Sequence, residues 1–307
     1  MSGGICYNIK ALIKALTQMG IDYKTNVSAS ELSLLKCGGV AKLVTYPKTA
    51  REIEEIVKLS KKFNVPFYLI GNGSNTLILD GGTSEIVISL NKFHHLFIRE
   101  TGVVVSAGVK LPALSRKLAG LGYAGLEKLS GIPCSIGGAT IKNAGCYGLD
   151  FSSCVKKVFC LNTITLKREV VPKKDIRYAY RSSGNSFLNR LILFVELELK
   201  KSDDNLLGII NDHAQKRKDS QPTEPSLGSV FLRCEDGISA GYYIDKAGLK
   251  GITAGGAMIS TKHANFIVNV GKATAKDYMT LVALCESVVK NKFNVTLKRE
   301  IDIIGDN

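Results

Sequence analysis

Apolar positions along the chain keep helical spacing in some stretches and run or alternate in others. Ile9, Leu12, Ile13 and Leu16 share one helical face and Gly20 follows as a stop, which predicts a helix over 9–19 with Asn8 as its cap. Thr49 and Glu52 have capping-box spacing, and Ile53, Ile56, Val57 and Ser60 fall on one face behind them. LPALSRKLAGL (111–121) reads as another helix, and so do 206–218, 240–247 and 275–292, the last with Thr274 and Asp277 placed to cap it. Strands are predicted at 40–47, at 65–70 and in TLIL, EIVISL and VVVSAG. The stretches 155–171 and 191–200 read as paired strands, the second ending in the alternation of a strand with one exposed face. Further strands are predicted at 266–270 and 295–304.

Helices and strands alternate up to about residue 122, which argues α+β or α/β. KSDDN (201–205) is polar and reads as a linker. No internal repeat or low-complexity tract interrupts the chain.

Composition narrows the picture. The chain has 307 residues, 45% hydrophobic and 22% charged, with mean hydropathy +0.09, the profile of a folded globular protein of two or three domains. No apolar run is long enough for a membrane span, and MSGGICYNIK does not read as a signal peptide, so the expected setting is the cytoplasm. The net charge of +14 suits polyanionic partners or a solubilising surface, but its densest cluster, Lys216-Arg217-Lys218, is short. The eight cysteines contain no C-x-x-C and the four histidines no H-E-x-x-H. Reduced thiols, mostly buried, are therefore expected, with no metal site.

Five segments carry candidate chemistry. In YLIGNGSNTLIL (68–79) a strand runs into glycines and small polar residues, whose backbone N–H groups suit a pyrophosphate. It is neither a Rossmann fingerprint nor a P-loop. In GLEKLSGIPCSIGGATIKNAGCYG (125–148) the glycine density is too high for regular structure, and its isoleucines make it less polar than a flexible loop, so it reads as a ligand lining. RYAYRSSGNSF (177–187) sets Arg181 beside an aromatic ring, and arginine suits a developing oxyanion. RKDSQPTEPSLGSVFLR (217–233) frames Ser229 with two prolines and Gly228, without a G-x-S-x-G elbow. In VTLKREIDIIG (295–305) alternation groups Lys298, Glu300 and Asp302 on one face, where Glu300 reads as an exposed strand acid.

In this order the segments resemble the UDP-N-acetylenolpyruvoylglucosamine reductases of bacterial peptidoglycan synthesis. The matching stretches are GNGSN, GLEKLSGIPCSIGGATIKNAGCYG, YRSS, QPTEPSLGSVF, AGYYIDKAGLKG, STKHANFIVN and LKREIDIIG, spanning about Asn26 to Gly305. The resemblance implies an α+β fold: an FAD-binding region of the vanillyl-alcohol-oxidase (PCMH) type over 1–204, in two α+β subdomains split near 90–100, and an α+β domain for the UDP-sugar over 205–307. It implies that Gly71, Asn72, Gly73, Ser74 and Asn75 hold the FAD pyrophosphate. Ser130, Gly131, Ile132, Pro133, Gly137, Gly138, Asn143, Gly145 and Tyr147 would lie along the rest of the cofactor. Arg181, Ser229 and Glu300 match the family's catalytic positions, and Tyr180, Arg217, Lys218, Arg233 and Asn265 are implied substrate contacts. The implied reaction is NADPH-dependent reduction of UDP-N-acetylglucosamine enolpyruvate by a monomer, with no nucleic acid, membrane or metal involved.

The short connection after YRSS is similar to the type II branch of the family. Cys134 and Cys146 stand where glycine and alanine are common, and Leu232-Arg233-Cys234 replaces the usual Lys-Asn-Pro. Two rival readings stay open from sequence: another flavin oxidase or dehydrogenase of the same superfamily, and a basic nucleotide- or RNA-binding protein. The second lacks aromatics interleaved with basic residues.

Overall fold

The structure, a computed structural model, describes residues 2–99 and 102–306, with the side chains of 2–7 left aside. The described residues form eight α-helices: α1 Ser2–Gln18, α2 Ala29–Leu32, α3 Ala50–Lys62, α4 Leu111–Gly120, α5 Ile136–Ile141, α6 Leu206–Ser220, α7 Ala240–Lys246 and α8 Ala275–Phe293. None of the helices among the described residues is long and apolar enough to cross a membrane. With the strands below, the fold is α+β. The chain divides into two compact units, one of 1–23, 45–72 and 87–217, the other of 24–44, 73–86 and 218–307.

The first unit is built on a five-stranded antiparallel sheet in the order Arg168–Pro172, Val155–Asn162, Arg190–Leu197, Gly102–Ser106, Leu96–Arg99. The segment 155–171 is thus itself a hairpin, and its first strand pairs on both sides. Central position explains why Arg190–Leu197 is buried almost throughout instead of alternating. Its Glu196 is buried and bonded to Lys156 and Lys157 at 2.8 and 3.0 Å. α5 packs on this sheet, and α1 packs on α3. Thr49 caps α3 through the Glu52 N–H, while the Glu52 carboxylate accepts from the Lys48 N–H, one residue earlier than the capping box predicts. Ile53, Ile56 and Val57 are fully buried, each contributing roughly 1.5–3 kcal/mol.

The second unit carries a four-stranded antiparallel sheet, in the order Ser226–Ser229, Phe266–Asn269, Ala257–Ile259, Thr253–Ala254. α8 covers it, capped by the reciprocal bonds of Thr274 and Asp277. Phe231, Ile244, Ile267, Tyr278, Leu281 and Leu297 close one core with Leu35 and Leu77. Asp302–Ile304 pairs in parallel with Thr76–Ile78.

Three expectations need correction. The first helix begins at Ser2, so Asn8 is interior and not its cap. The glycine-rich 125–148 does hold regular structure: Ser135 caps α5, whose Ile136 and Ala139 are buried, and tertiary packing overrides two helix-weakening glycines. The strand expected over 295–304 is reduced to Asp302–Ile304 plus an isolated bridge from Arg299 to Phe231.

Candidate active site

In the first unit the strand Phe67–Ile70 delivers the chain to Gly71 and Asn72. Gly71 lies so close to Ser135 that any Cβ there would overlap its hydroxyl. Asn72 Nδ2 donates to the Pro133 carbonyl at 2.7 Å. Two segments separated by about 60 residues thus meet, which the sequence did not show. Ser135 Oγ accepts the Gly138 N–H at 3.3 Å, and Gly137 N donates to the Ala107 carbonyl at 2.9 Å. A Cβ on Gly137 would stand 3.0 Å from that of Ala107. Ser130 is buried, while Gly131, Ile132, Pro133 and Gly138 are half-buried. Glycine at 71, 131 and 137 thus lets these segments pack against Ser135, Arg217 and Ala107 more closely than any side chain would allow, while Ile132 and Pro133 offer half-buried apolar surface. This cradle fits a bulky dinucleotide such as FAD. Ser135 was missed in the sequence, although a serine before an apolar run is a helix-start signal.

Arg217 of α6 lies across the same stretch. A Cβ on Gly131 would meet its Cδ at 2.8 Å. Burial lowers the proton affinity of this guanidinium, and Cys146, Tyr147 and Cys134 partly offset that. Burial also pushes the Cys134 thiol up to about 12 and raises that of Cys146, whose Sγ donates to the Lys128 carbonyl at 2.8 Å. Both are free thiols. The exposed Tyr147 ring sits 4.5 Å from His213.

Arg181 is held from several sides. Its Nη2 donates to the Gly145 carbonyl, its Nη1 to the Asn143 carbonyl at 3.4 Å, and Asp150 Oδ1 is 3.7 Å away. The exposed Tyr180 ring centroid is 5.0 Å from the guanidinium carbon. Asn143 is itself 2% exposed, donates to the Ala179 carbonyl at 3.0 Å and accepts the Ser152 N–H at 3.0 Å. Gly145 has no room for a Cβ, which would overlap the Asp150 carboxylate. Asn143, Gly145, Tyr180 and Arg181 therefore form one cluster, with the guanidinium side chain 21% exposed. Asp150, absent from the sequence-level candidates, lies on a short strand paired back to Gly145–Cys146, and a pairing of that kind leaves no sequence signal.

In the second unit Ser229 ends its strand opposite Phe266, after a register slip from Ser226 that includes Gly228 at φ +76°. Such a bulge re-aims the side chain that follows it. Glu300 N donates to the Val230 carbonyl at 2.8 Å, and Leu232 N to the Lys298 carbonyl at 2.8 Å. Ser229 and Glu300, far apart in sequence, are thus brought within one hydrogen-bonded step, both half-buried. The cations flanking Glu300 are engaged elsewhere, Arg299 with Glu286 at 2.6 and 2.7 Å and Lys298 with Glu235 at 2.7 Å. Asn75 Nδ2 donates to the Glu300 carbonyl at 3.1 Å and to Asp302 at 3.2 Å. Gly73 is buried at φ +64°, where a Cβ would overlap the Leu32 carbonyl oxygen, and Ser74 is half-buried. Asn265 is buried and bonded to Phe231, while Lys218 and Arg233 are exposed.

Comparison with known proteins adds independent findings. Residues 41–164 match the family model described as FAD binding domain. Residues 221–304 match the model described as UDP-N-acetylenolpyruvoylglucosamine reductase, C-terminal domain. The UDP-N-acetylenolpyruvoylglucosamine reductase of Lactobacillus acidophilus is 38% identical over 94% of this chain and 97% of its own length. That of Enterococcus faecalis is 35% identical over 97% and 99%. The crystal structure of the corresponding reductase from Thermus caldophilus superposes with TM-score 0.77 at 31% identity, covering 93% of this chain and 99% of that one.

Proposed function

Since this chain belongs to the UDP-N-acetylenolpyruvoylglucosamine reductase family, we propose that it reduces UDP-N-acetylglucosamine enolpyruvate to UDP-N-acetylmuramate at the expense of NADPH. It is an FAD-containing oxidoreductase of peptidoglycan precursor synthesis. The observation that carries the reading is the family match along nearly the whole chain, with Arg181 fixed by its own carbonyl acceptors. We assign the enzyme to the cytoplasm, acting as a monomer on two phosphate-bearing small molecules.

FAD, when bound, supplies the hydride-transfer chemistry of the reaction. The closely packed segments at Gly71 and over 131–138 would hold it, tied together by the bond of Asn72 to the Pro133 carbonyl and by the Ser135 cap. In the first unit, Tyr147 and the Asn143–Gly145 segment border this stretch; in the second, Gly73, Ser74 and Asn75 belong to the pyrophosphate loop.

Addition of hydride to the β carbon of the enolpyruvyl ether leaves negative charge on the α carbon and its carboxylate. Arg181 neutralises that charge as an enediolate-like species. Its planar fork is held against the Gly145 and Asn143 carbonyls, so little reorganisation accompanies the step. Ser229 then gives a proton to the α carbon, and Glu300, whose N–H is bonded to the carbonyl of the next residue, Val230, restores the serine's proton. Tyr180, Arg217, Lys218 and Arg233 contact the UDP-sugar.

The test is Ser229→Ala with the half-reactions followed separately by stopped flow. Reduction of the bound flavin by NADPH is expected at near-normal rate. Reoxidation by the UDP-enolpyruvyl sugar is expected to fall by roughly 10²–10⁴, the usual loss for a missing general acid. Cysteine at 229 retains part of the activity. Normal reoxidation in the alanine variant removes Ser229 from the mechanism.

A further inference from the structure

We propose that Asn265 is a positioning residue for Ser229, acting through the backbone that joins the serine to Glu300; the proposal rests on the assignment of Ser229 above. Asn265 is 7% exposed. Its Oδ1 accepts the Phe231 N–H at 3.1 Å, its Nδ2 donates to the Phe231 carbonyl at 2.8 Å, and its own carbonyl accepts the Val230 N–H at 2.9 Å. One residue thus holds the backbone of the two residues that follow Ser229, by three bonds.

The opposite edge of the same segment is taken by the segment that carries Glu300. Val230 accepts from Glu300 N, Leu232 N donates to Lys298, and Phe231 bridges Arg299. Val230–Leu232 is clamped between Asn265 on one side and 298–300 on the other. Register on the Ser226–Ser229 strand slips just before this point. A slipped strand does not fix its last residue by ladder pairing alone, so the amide supplies the missing constraint.

Asn265 is well placed to transmit rigidity. Its N–H donates to His263 Nδ1 at 3.3 Å, and His263 packs edge-on to Phe266 at 4.7 Å. Ser260, 3% exposed, accepts from the N–H groups of Lys262 and His263. The turn that carries the amide is therefore fixed before it reaches Phe231. With the amide's carbonyl and an N–H engaged on a buried main chain, a structural holding role accounts for this residue better than direct contact with the sugar.

The experiment is a double-mutant cycle of Asn265→Ala and Ser229→Ala in the full-length flavoenzyme. Asn265→Ala alone should leave flavin reduction by NADPH within about twofold. It should slow reoxidation by the UDP-enolpyruvyl sugar at least roughly tenfold, in kcat and not in KM. In the Ser229→Ala background the same substitution should cost nothing further. Amide exchange supplies a readout apart from activity: the Phe231 N–H should exchange faster in Asn265→Ala, and near the native rate in Asn265→Asp, which keeps the acceptor. If the alanine protein does not fold, Asn265→Ser carries the same cycle.

Three results would overturn the proposal. An undiminished loss in the Ser229→Ala background places the action of Asn265 elsewhere. A rise in KM at constant kcat makes it a direct substrate contact. Normal reoxidation by Ser229→Ala alone removes the serine's assignment, and this proposal with it. The single variant thus separates failure of the underlying reading from failure of the inference.

Discussion

At Arg181 the backbone adopts φ +51°, a left-handed conformation that costs a side-chain-bearing residue roughly 1–2 kcal/mol. The cost is offset by the bonds that the guanidinium makes to the Gly145 and Asn143 carbonyls and by its place beside Asp150 and the Tyr180 ring. Lysine at 181 keeps the charge but cannot serve both carbonyls and still face an anion. Arg181→Lys should therefore slow reoxidation by the UDP-enolpyruvyl sugar by at least about 10²-fold, roughly 2.7 kcal/mol of lost stabilisation, and leave NADPH-driven reduction nearly unchanged. Equal effects in the two half-reactions would take the arginine out of this role. The guanidinium was legible in the sequence as an arginine beside an aromatic ring; its supports were not. Asp150 and the Asn143 carbonyl reach it through tertiary placement, which leaves no short-range pattern.

Elements with a strong local signal emerge where the sequence puts them. α3, α4 and α8 have an apolar face, and α3 and α8 also have caps whose geometry needs only residues three apart. α8 allows the simplest test. Thr274→Ala removes one half of its capping box, leaving Asp80 to accept the Ala275 and Lys276 N–H groups at 2.9 and 2.8 Å. A loss of about 1 kcal/mol in urea unfolding is expected, without change in the flavin spectrum. A loss near zero would show that Asp80 carries the cap alone. The less legible elements are those fixed from a distance. α5 contains two glycines, and its formation depends on the Ser135 cap and on burial of Ile136 and Ala139. The alternation of 295–304 is real, but most of its partners are single bonds to Val230–Leu232 instead of a ladder. In the site, that Asn72 meets Pro133 and that the Glu300 segment bonds Val230 beside Ser229 was not legible, because alternation and spacing carry no information on which distant segments meet.

Across the whole molecule, Cys37, Cys160 and Cys285 are buried thiols, each pushed by desolvation from an ordinary value near 9 up to about 12. The unfolded chain releases these protons near pH 9, whereas the folded chain holds them. Between pH 9 and 12 the unfolded state binds fewer protons, so stability is full below pH 9 and falls as pH rises, by up to about 1.4 kcal/mol per unit for each thiol. Urea midpoints at pH 8 and pH 10 should show this loss, and equal midpoints would mean that the thiols titrate normally in the folded chain. The division into two units has a consequence for how the protein is made. The chain passes from one unit to the other five times, at 23/24, 44/45, 72/73, 86/87 and 217/218. On the ribosome, the strands and turns of 24–44 and 73–86 emerge early, while the rest of their unit begins about 130 residues later. At roughly 5–20 residues per second, that leaves those early segments waiting on the order of ten seconds for the sheet and helix that cover their apolar side chains. Nascent Leu35 and Leu77, which end in that unit's core, stay uncovered until residues 218–307 are made.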